Sequence, residues 1–395
     1  MQSNEPQNNE IPPSPRPMKR LFREKSQSPS KNGNILIIEN IRDLESAQKS
    51  NETPTTYYQI VIKPQDPSFF TEIIEKSLVL PDAERVSLNL ANIEIDSNAK
   101  IITKFTNQML GGGKIRLFEL KGVNSHEFAQ SLCDILREAS SLTSFSIYQQ
   151  ENTQFDSTQE ELEISLIKSL VANPNLESLE FKEISSSRAV DTLAQNLKSM
   201  EKLNSLKIHF RLENPDILHA LFATLRDKKT LRSISLHFTD EMIIDNNNLS
   251  NLANMIKGLE ELHALELTFK NANEGDSAGM QNLMKTIASR VELNAFSLHV
   301  AHCKGFDSEA LAQITKGIKD MKKLTRLEFY CWGTKVSIDA LCNFTQAVLE
   351  VTEERFLHLN MNIDATLLSH KDANAQVLKN NVIKLQNANA TIVID

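Results

Sequence analysis

Side chains able to do chemistry are present in this chain but poorly assembled. Nine histidines and four cysteines occur among 395 residues. Cys133, Cys303, Cys331 and Cys342 form no C-x-x-C pair and have no histidine at zinc-site spacing, so they read as free, mostly buried thiols of a reducing compartment. Gly111-Gly112-Gly113-Lys114 has the composition of a phosphate loop, but Gln108 stands where the first glycine belongs and Ile115 where a Ser or Thr belongs. A phosphate loop also follows a strand and opens a helix. This run closes a helical stretch and precedes a strand, so it reads as a helix C-cap and turn. No G-x-S-x-G, H-E-x-x-H or Gly-rich dinucleotide fingerprint occurs. The expectation is a chain with no catalytic centre, cofactor, metal or small-molecule substrate.

The elements that would carry any site are more informative. A pattern L-x-x-L-x-L, with Ile, Phe or Met substituting, recurs down the chain. Clear copies begin at Leu142, Leu176, Leu203, Leu231, Leu262, Leu293, Leu324 and Phe356, at intervals of 27 to 34 residues. Weaker copies begin at Tyr57, Ala83 and Ile115, and a last one holds Ile392 and Ile394. Between copies run helical stripes such as Leu218, Leu221, Phe222 and Leu225, or Leu249, Leu252, Met255, Ile256 and Leu259. Asp307-Ser308 precedes a third stripe, Leu311, Ile314 and Ile318, and suits a helix N-cap.

A strand and a helix every ~31 residues also describes a closed β/α barrel. Barrel strands are packed on both faces and read as continuous apolar runs. Here apolar residues alternate with Ser, Glu, Lys, Asn and His, and about twelve units exceed the barrel's eight. Strands stack ~4.8 Å apart while packed helices need roughly 8–10 Å, so an open array must curve with its helices outside. The expected fold is therefore α/β, a curved solenoid with a parallel sheet on the concave face and helices on the convex face.

The repeat strongly resembles the leucine-rich-repeat superfamily, and its long helical units look like the ribonuclease-inhibitor-like class. The resemblance covers residues 57–395, about eleven to twelve repeats. Members usually carry an Asn or Cys just after the strand. Here Asn92, Asn124 and Asn271 are late echoes of it, and other repeats put Gly333, His302 or Asp240 there. The resemblance implies a non-enzymatic scaffold that binds a protein partner along its concave face. Activation of a small GTPase, for which Arg211 or Asn271 would sit at the rim, and delivery into a host cell as a bacterial effector are the alternative roles.

The register assigns outward columns. One reads Ser144, Ser178, Ser205, Ser233, Ala264, Ala295; its neighbour reads Ser146, Glu180, Lys207, Ser235, Glu266, Ser297, Glu328, Asn360. A third reads Tyr148, Lys182, His209, His237, Thr268, His299, Tyr330, Asn362. Tyr148, Lys182, Lys207, His209, His237, Glu266, His299, Glu328, Tyr330 and Asn360 are the expected partner-binding residues, because Tyr and His join apolar area to a polar tip. Adjacent His209 and His237 raise a metal or pH-switch idea, but Thr268 stands where a third ligand would be needed. Trp332, the one tryptophan, reads as core or cap packing.

Residues 1–34 read as a disordered, basic, Pro/Ser/Asn-rich tail, and 35–56 as an N-terminal cap and linker with one apolar run, Ile35 to Ile38. The tail carries net +3, leaving −11 for the rest of a chain whose total is −8. Lys19, Arg20, Leu21 and Phe22 resemble a cyclin-docking motif, and Ser14 and Ser28, each followed by proline, resemble proline-directed phosphorylation sites. The acidic total argues against nucleic acid, and no apolar run reaches the ~18 residues of a membrane span. The N-terminus has no secretory signal character, which suggests a cytoplasmic location, nuclear if the basic cluster is used, or secretion if the chain is a bacterial effector. The C-terminal strand has no capping helix after it and is open to end-to-end dimerisation.

Overall fold

A computed structural model describes residues 35–49, 57–76, 78, 80, 83–123, 125–148, 157–239, 242–269, 277–355, 357–369, 373–388 and 390–394. Among them thirteen strands form one sheet in chain order. The first six are β1 (Ile35–Ile38), β2 (Tyr57–Ile62), β3 (Ala83–Asn89), β4 (Leu117–Lys121), β5 (Ser144–Tyr148) and β6 (Ser178–Ile184). They continue as β7 (Ser205–Phe210), β8 (Ser233–Phe238), β9 (Ala264–Phe269) and β10 (Ala295–His299). β11 (Arg326–Tyr330), β12 (His358–Ile363) and β13 (Thr391–Ile394) complete the sheet. The sheet holds one strand more than the twelve counted from Tyr57, because Ile35–Ile38 pairs in parallel with β2. The array is an open α/β solenoid in which parallel strands alternate with helices along the chain.

Every pairing is parallel and keeps the apolar anchors in columns. Phe118, Phe145, Leu179, Leu206, Ile234, Leu265, Phe296, Leu327 and Leu359 are successive partners. The weaker sequence copies join the same column, as Ile60 pairs with Val86 and Val86 with Phe118. These residues are buried against helices that return each strand's end to the start of the next. A buried Leu or Phe stabilises by roughly 1.5–3 kcal/mol, and no unit can bury its own face alone. Beyond the anchors, Phe210, Phe238 and Phe269 stack at 5.6 and 5.0 Å, a second apolar column that the six-residue pattern does not contain.

Helix ends are tied in two ways. The Asp307 carboxylate accepts a hydrogen bond from the Ala310 N–H at 2.9 Å, and Asp245, Ser186 and Ser337 cap their helices likewise. C-terminal carbonyls are met by the following unit. Asn173 donates to the Ala139 carbonyl at 3.0 Å, and Lys228 to that of Met200. Arg290 donates to the carbonyls of Leu259 and Glu260, and Arg355 to that of Ile318. Asn173, Lys228 and Arg290 each stand three residues before the first anchor of their unit.

The glycine run behaves as a stop signal. Helix Ala99–Gly111 ends there, and Gly113 turns the chain through a left-handed φ of +69° into β4. After β10 and β11, His302 (φ 55°) and Gly333 (φ 67°) take that conformation at equivalent positions. Only glycine adopts it without strain, so His302 costs its turn on the order of 1 kcal/mol. Asn92 is exposed, while Asn124, Asn271, Asp240 and Phe356 lie outside the described residues. No described helix is long and apolar enough to cross a membrane.

Candidate partner-binding face

The strands' outward side chains fall into three lanes, and pairing carries each lane from strand to strand. Ser144, Ser178, Ser205, Ser233, Ala264 and Ala295 are aligned as expected, but the lane then continues into Arg326 and His358, both exposed. The small-residue floor therefore ends at β10.

The middle lane is not the freely solvated column its composition suggests. Ser235 and Glu328 are buried and most of the others half-buried, because these side chains bond to one another across strands. Ser146 donates to Glu180 at 3.0 Å, Ser235 to Glu266 at 2.8 Å and Ser297 to Glu328 at 3.1 Å. Lys207 lies 3.7 Å from Glu180 and 3.8 Å from Glu266, reaching over Ser235. Arg326 grips Glu328 at 2.6 Å. Toward the N-terminal end, buried Glu119 holds Lys121 at 3.0 Å and Arg85 at 3.7 Å. Burial alone would raise the carboxyl of Glu119. The charge and hydrogen bond of Lys121, with help from Tyr148 and Arg85, outweigh it and hold that carboxyl below its ordinary value. Glu266 behaves alike: burial opposes ionisation, and His237, Lys207 and Ser235 overcome it.

The third lane is a row of rings. Lys121 and Lys182 lie 4.5 and 4.7 Å from the Tyr148 centroid. His209 and His237 stack face to face at 4.0 Å, tilted by 13°. His299 meets Tyr330 at 4.1 Å. Burial, then the neighbouring His237, Lys182 and Lys207, push His209 down to about 2, so its ring is neutral at ordinary pH and cannot serve as the pH switch considered above. Ring nitrogens bind metals through in-plane lone pairs. Near-parallel stacked rings direct those lone pairs side by side rather than at one point, and no group of three metal-binding side chains occurs among the described residues. Burial and Glu328 raise the Tyr330 hydroxyl to about 12, so it stays protonated. Asn362 is buried rather than open to a partner; Asn360 is half-buried.

Ser235, His237 and Glu266 contain the residue types of a nucleophilic relay. Ser235 Oγ and Glu266 Oε1 both approach the same ring nitrogen, Nε2 of His237, at 2.9 and 3.1 Å. A relay needs the base to accept from the nucleophile at one nitrogen while the acid orients the other. Here the hydroxyl and the carboxylate share one nitrogen, so the acid does not orient the ring from its far side as a relay requires.

Trp332, read as core or cap packing, is half-buried at the turn after β11, edge-on to His302 at 4.0 Å. Arg211 lies on the rim but is paired with Glu183 at 3.2 Å. Lys19, Arg20, Leu21, Phe22, Ser14 and Ser28 lie outside the described residues. Sequence reasoning missed Arg85, Glu119, Lys121 and Arg326. Their signal was available, since extending the lanes through the weaker copies at Ala83 and Ile115 reaches the first three.

No family model matches the sequence, and no curated protein matches it. Among solved structures, the crystal structure of a TLR13–ssRNA13 complex aligns with 77% of this chain at 13% identity and a TM-score of 0.30. The alignment covers 49% of that protein, so this chain spans about half its length. A superposition this loose fixes neither a shared shape nor a shared ligand.

Proposed function

We propose that this chain is an interaction scaffold that binds a protein partner along the concave face of its sheet. The observation that carries the reading is the lane structure. Eight successive strands, β5 to β12, carry Tyr148, Lys182, Lys207, His209, His237, Glu266, His299, Glu328, Tyr330 and Asn360 on one face of the sheet, most of them half-buried and cross-bonded. Half-buried Tyr and His on a rigid framework lose little entropy when covered, and they offer both apolar area and hydrogen bonds. No disulfide joins Cys133, Cys303, Cys331 or Cys342, three of them buried, which supports a reducing, cytoplasmic setting. Full helices between nearly all successive strands support the ribonuclease-inhibitor-like class.

The test is affinity purification with three forms: the full chain, a form lacking residues 1–34, and a form with Tyr148, His237 and Tyr330 changed to Glu. The concave reading expects a partner that survives the deletion and is lost with the triple change. A partner lost with the deletion and retained by the triple variant would move binding to the tail.

A further inference from the structure

Charge is unevenly spread along the concave lanes. From β3 to β7 they carry Arg85, Lys121, Lys182 and Lys207 against Glu119 and Glu180, a balance of +2. From β8 to β12 they carry Arg326 against Glu266 and Glu328, a balance of −1. The whole chain is −8, so the first stretch is a basic island on an acidic protein.

The island is also layered. Arg85 is 30% exposed over Glu119 at 9%, and Lys121 38% over the same carboxylate. Lys207 is 30% exposed against 18% for Glu180. Arg85, Lys121 and Lys207 thus stand above the carboxylates of Glu119 and Glu180, while Lys182 lies 2.9 Å from Glu180 and level with it, at 20% against 18% exposed. Tyr148 lies between two of them as a flat, half-buried platform.

We infer that the β3–β7 stretch of the concave face seats an acidic, extended protein segment, whose carboxylates pair with Arg85, Lys121, Lys182 and Lys207. The claim rests on the scaffold reading above and names the partner's chemistry. Four strand spacings of ~4.8 Å span roughly 19 Å, the length of about six extended residues. A segment crossing the strands therefore meets a cation near both ends and next to each end. Nucleic acid is the less favoured polyanion, because several phosphates need a broad basic field and this island is small within a negative surround.

The probe is a fluorescein-labelled peptide of about ten residues alternating Glu and Ala, read by anisotropy at low salt. A Lys/Ala peptide and a thymidine oligomer of the same length are the comparisons. The acidic peptide is expected to bind best, and Lys121→Gln with Lys182→Gln to weaken it by about tenfold or more. Lys229→Gln with Lys323→Gln, on exposed lysines of the opposite loop edge, removes the same charge and is expected to change affinity less than about twofold. Carbodiimide coupling on the unaltered protein gives a readout free of folding effects: peptide carboxylates should join Lys121, Lys182 and Lys207. Coupling mainly at Lys229 and Lys323, equal loss in both variants, no preference for the acidic peptide, or tighter binding of the thymidine oligomer would each overturn the inference. If the peptide fails while the triple Glu variant still loses its partner, only the acidic chemistry is wrong; if that variant keeps its partner, the concave reading itself fails.

Discussion

The two faces of the sheet are made by the same strands yet obey different rules. On the inner face, successive anchors are any large apolar residue: Phe145, Leu179, Ile234 and Phe296 occupy one column and all are buried. On the outer face the identity of each neighbour matters, because Ser146 must meet Glu180 and Arg326 must meet Glu328. Dispersion and water exclusion ask only for volume, whereas a half-buried charge asks for a particular partner. The inner face supplies most of the stability and the outer face supplies specificity.

That division can be broken most strongly from within. Leu265 is 2% exposed between Ile234 and Phe296, and Leu265→Ala is expected to lose about 2–5 kcal/mol in a urea titration. A loss below ~0.5 kcal/mol, the range of surface changes, would show that the column is not core. Removing one outer charge should cost less. Glu328→Gln leaves Arg326 without its counter-charge and weakens the bond from Ser297, for about 1–3 kcal/mol by the same titration. An unchanged midpoint would mean the outer ladder is ornamental.

The smallest effect tests the stacked rings. His209 is held neutral in the folded chain, while in the unfolded chain it takes up a proton below its ordinary value of 6.5. The unfolded state therefore binds more protons as acid is added, so this stability is present above pH ~6.5 and falls below it. Between pH ~7.5 and ~5.5 the loss from this one group is about 1 kcal/mol, and His209→Phe should flatten the slope by that amount. Equal slopes in both proteins would place the ring in water.

Legibility in the sequence followed the same division. The apolar anchors could be aligned to the residue, because burial imposes a period that survives substitution of Leu by Ile, Phe or Met. The weaker copies at Ala83 and Ile115 fell in register for the same reason. The outer lanes were legible as positions but not as an environment. Whether Ser235 is wet or buried depends on a carboxylate 31 residues away, and no local pattern encodes that. Arg326 broke the run of small residues because its task is to hold Glu328, two residues on. Trp332 read as core or cap packing, and the left-handed turn at His302 sets a ring beside it at the turn after β11, not in the core.

The carbonyl ties at the helix ends give the array a direction in time. Asn173, Lys228, Arg290 and Arg355 each tie off the helix end of the unit before their own. During synthesis, then, these four helix ends wait for a later unit to leave the ribosome before their carbonyls are met. A chain cut just after one of these helices would leave its last carbonyls unmet and fray first at that C-terminal stump.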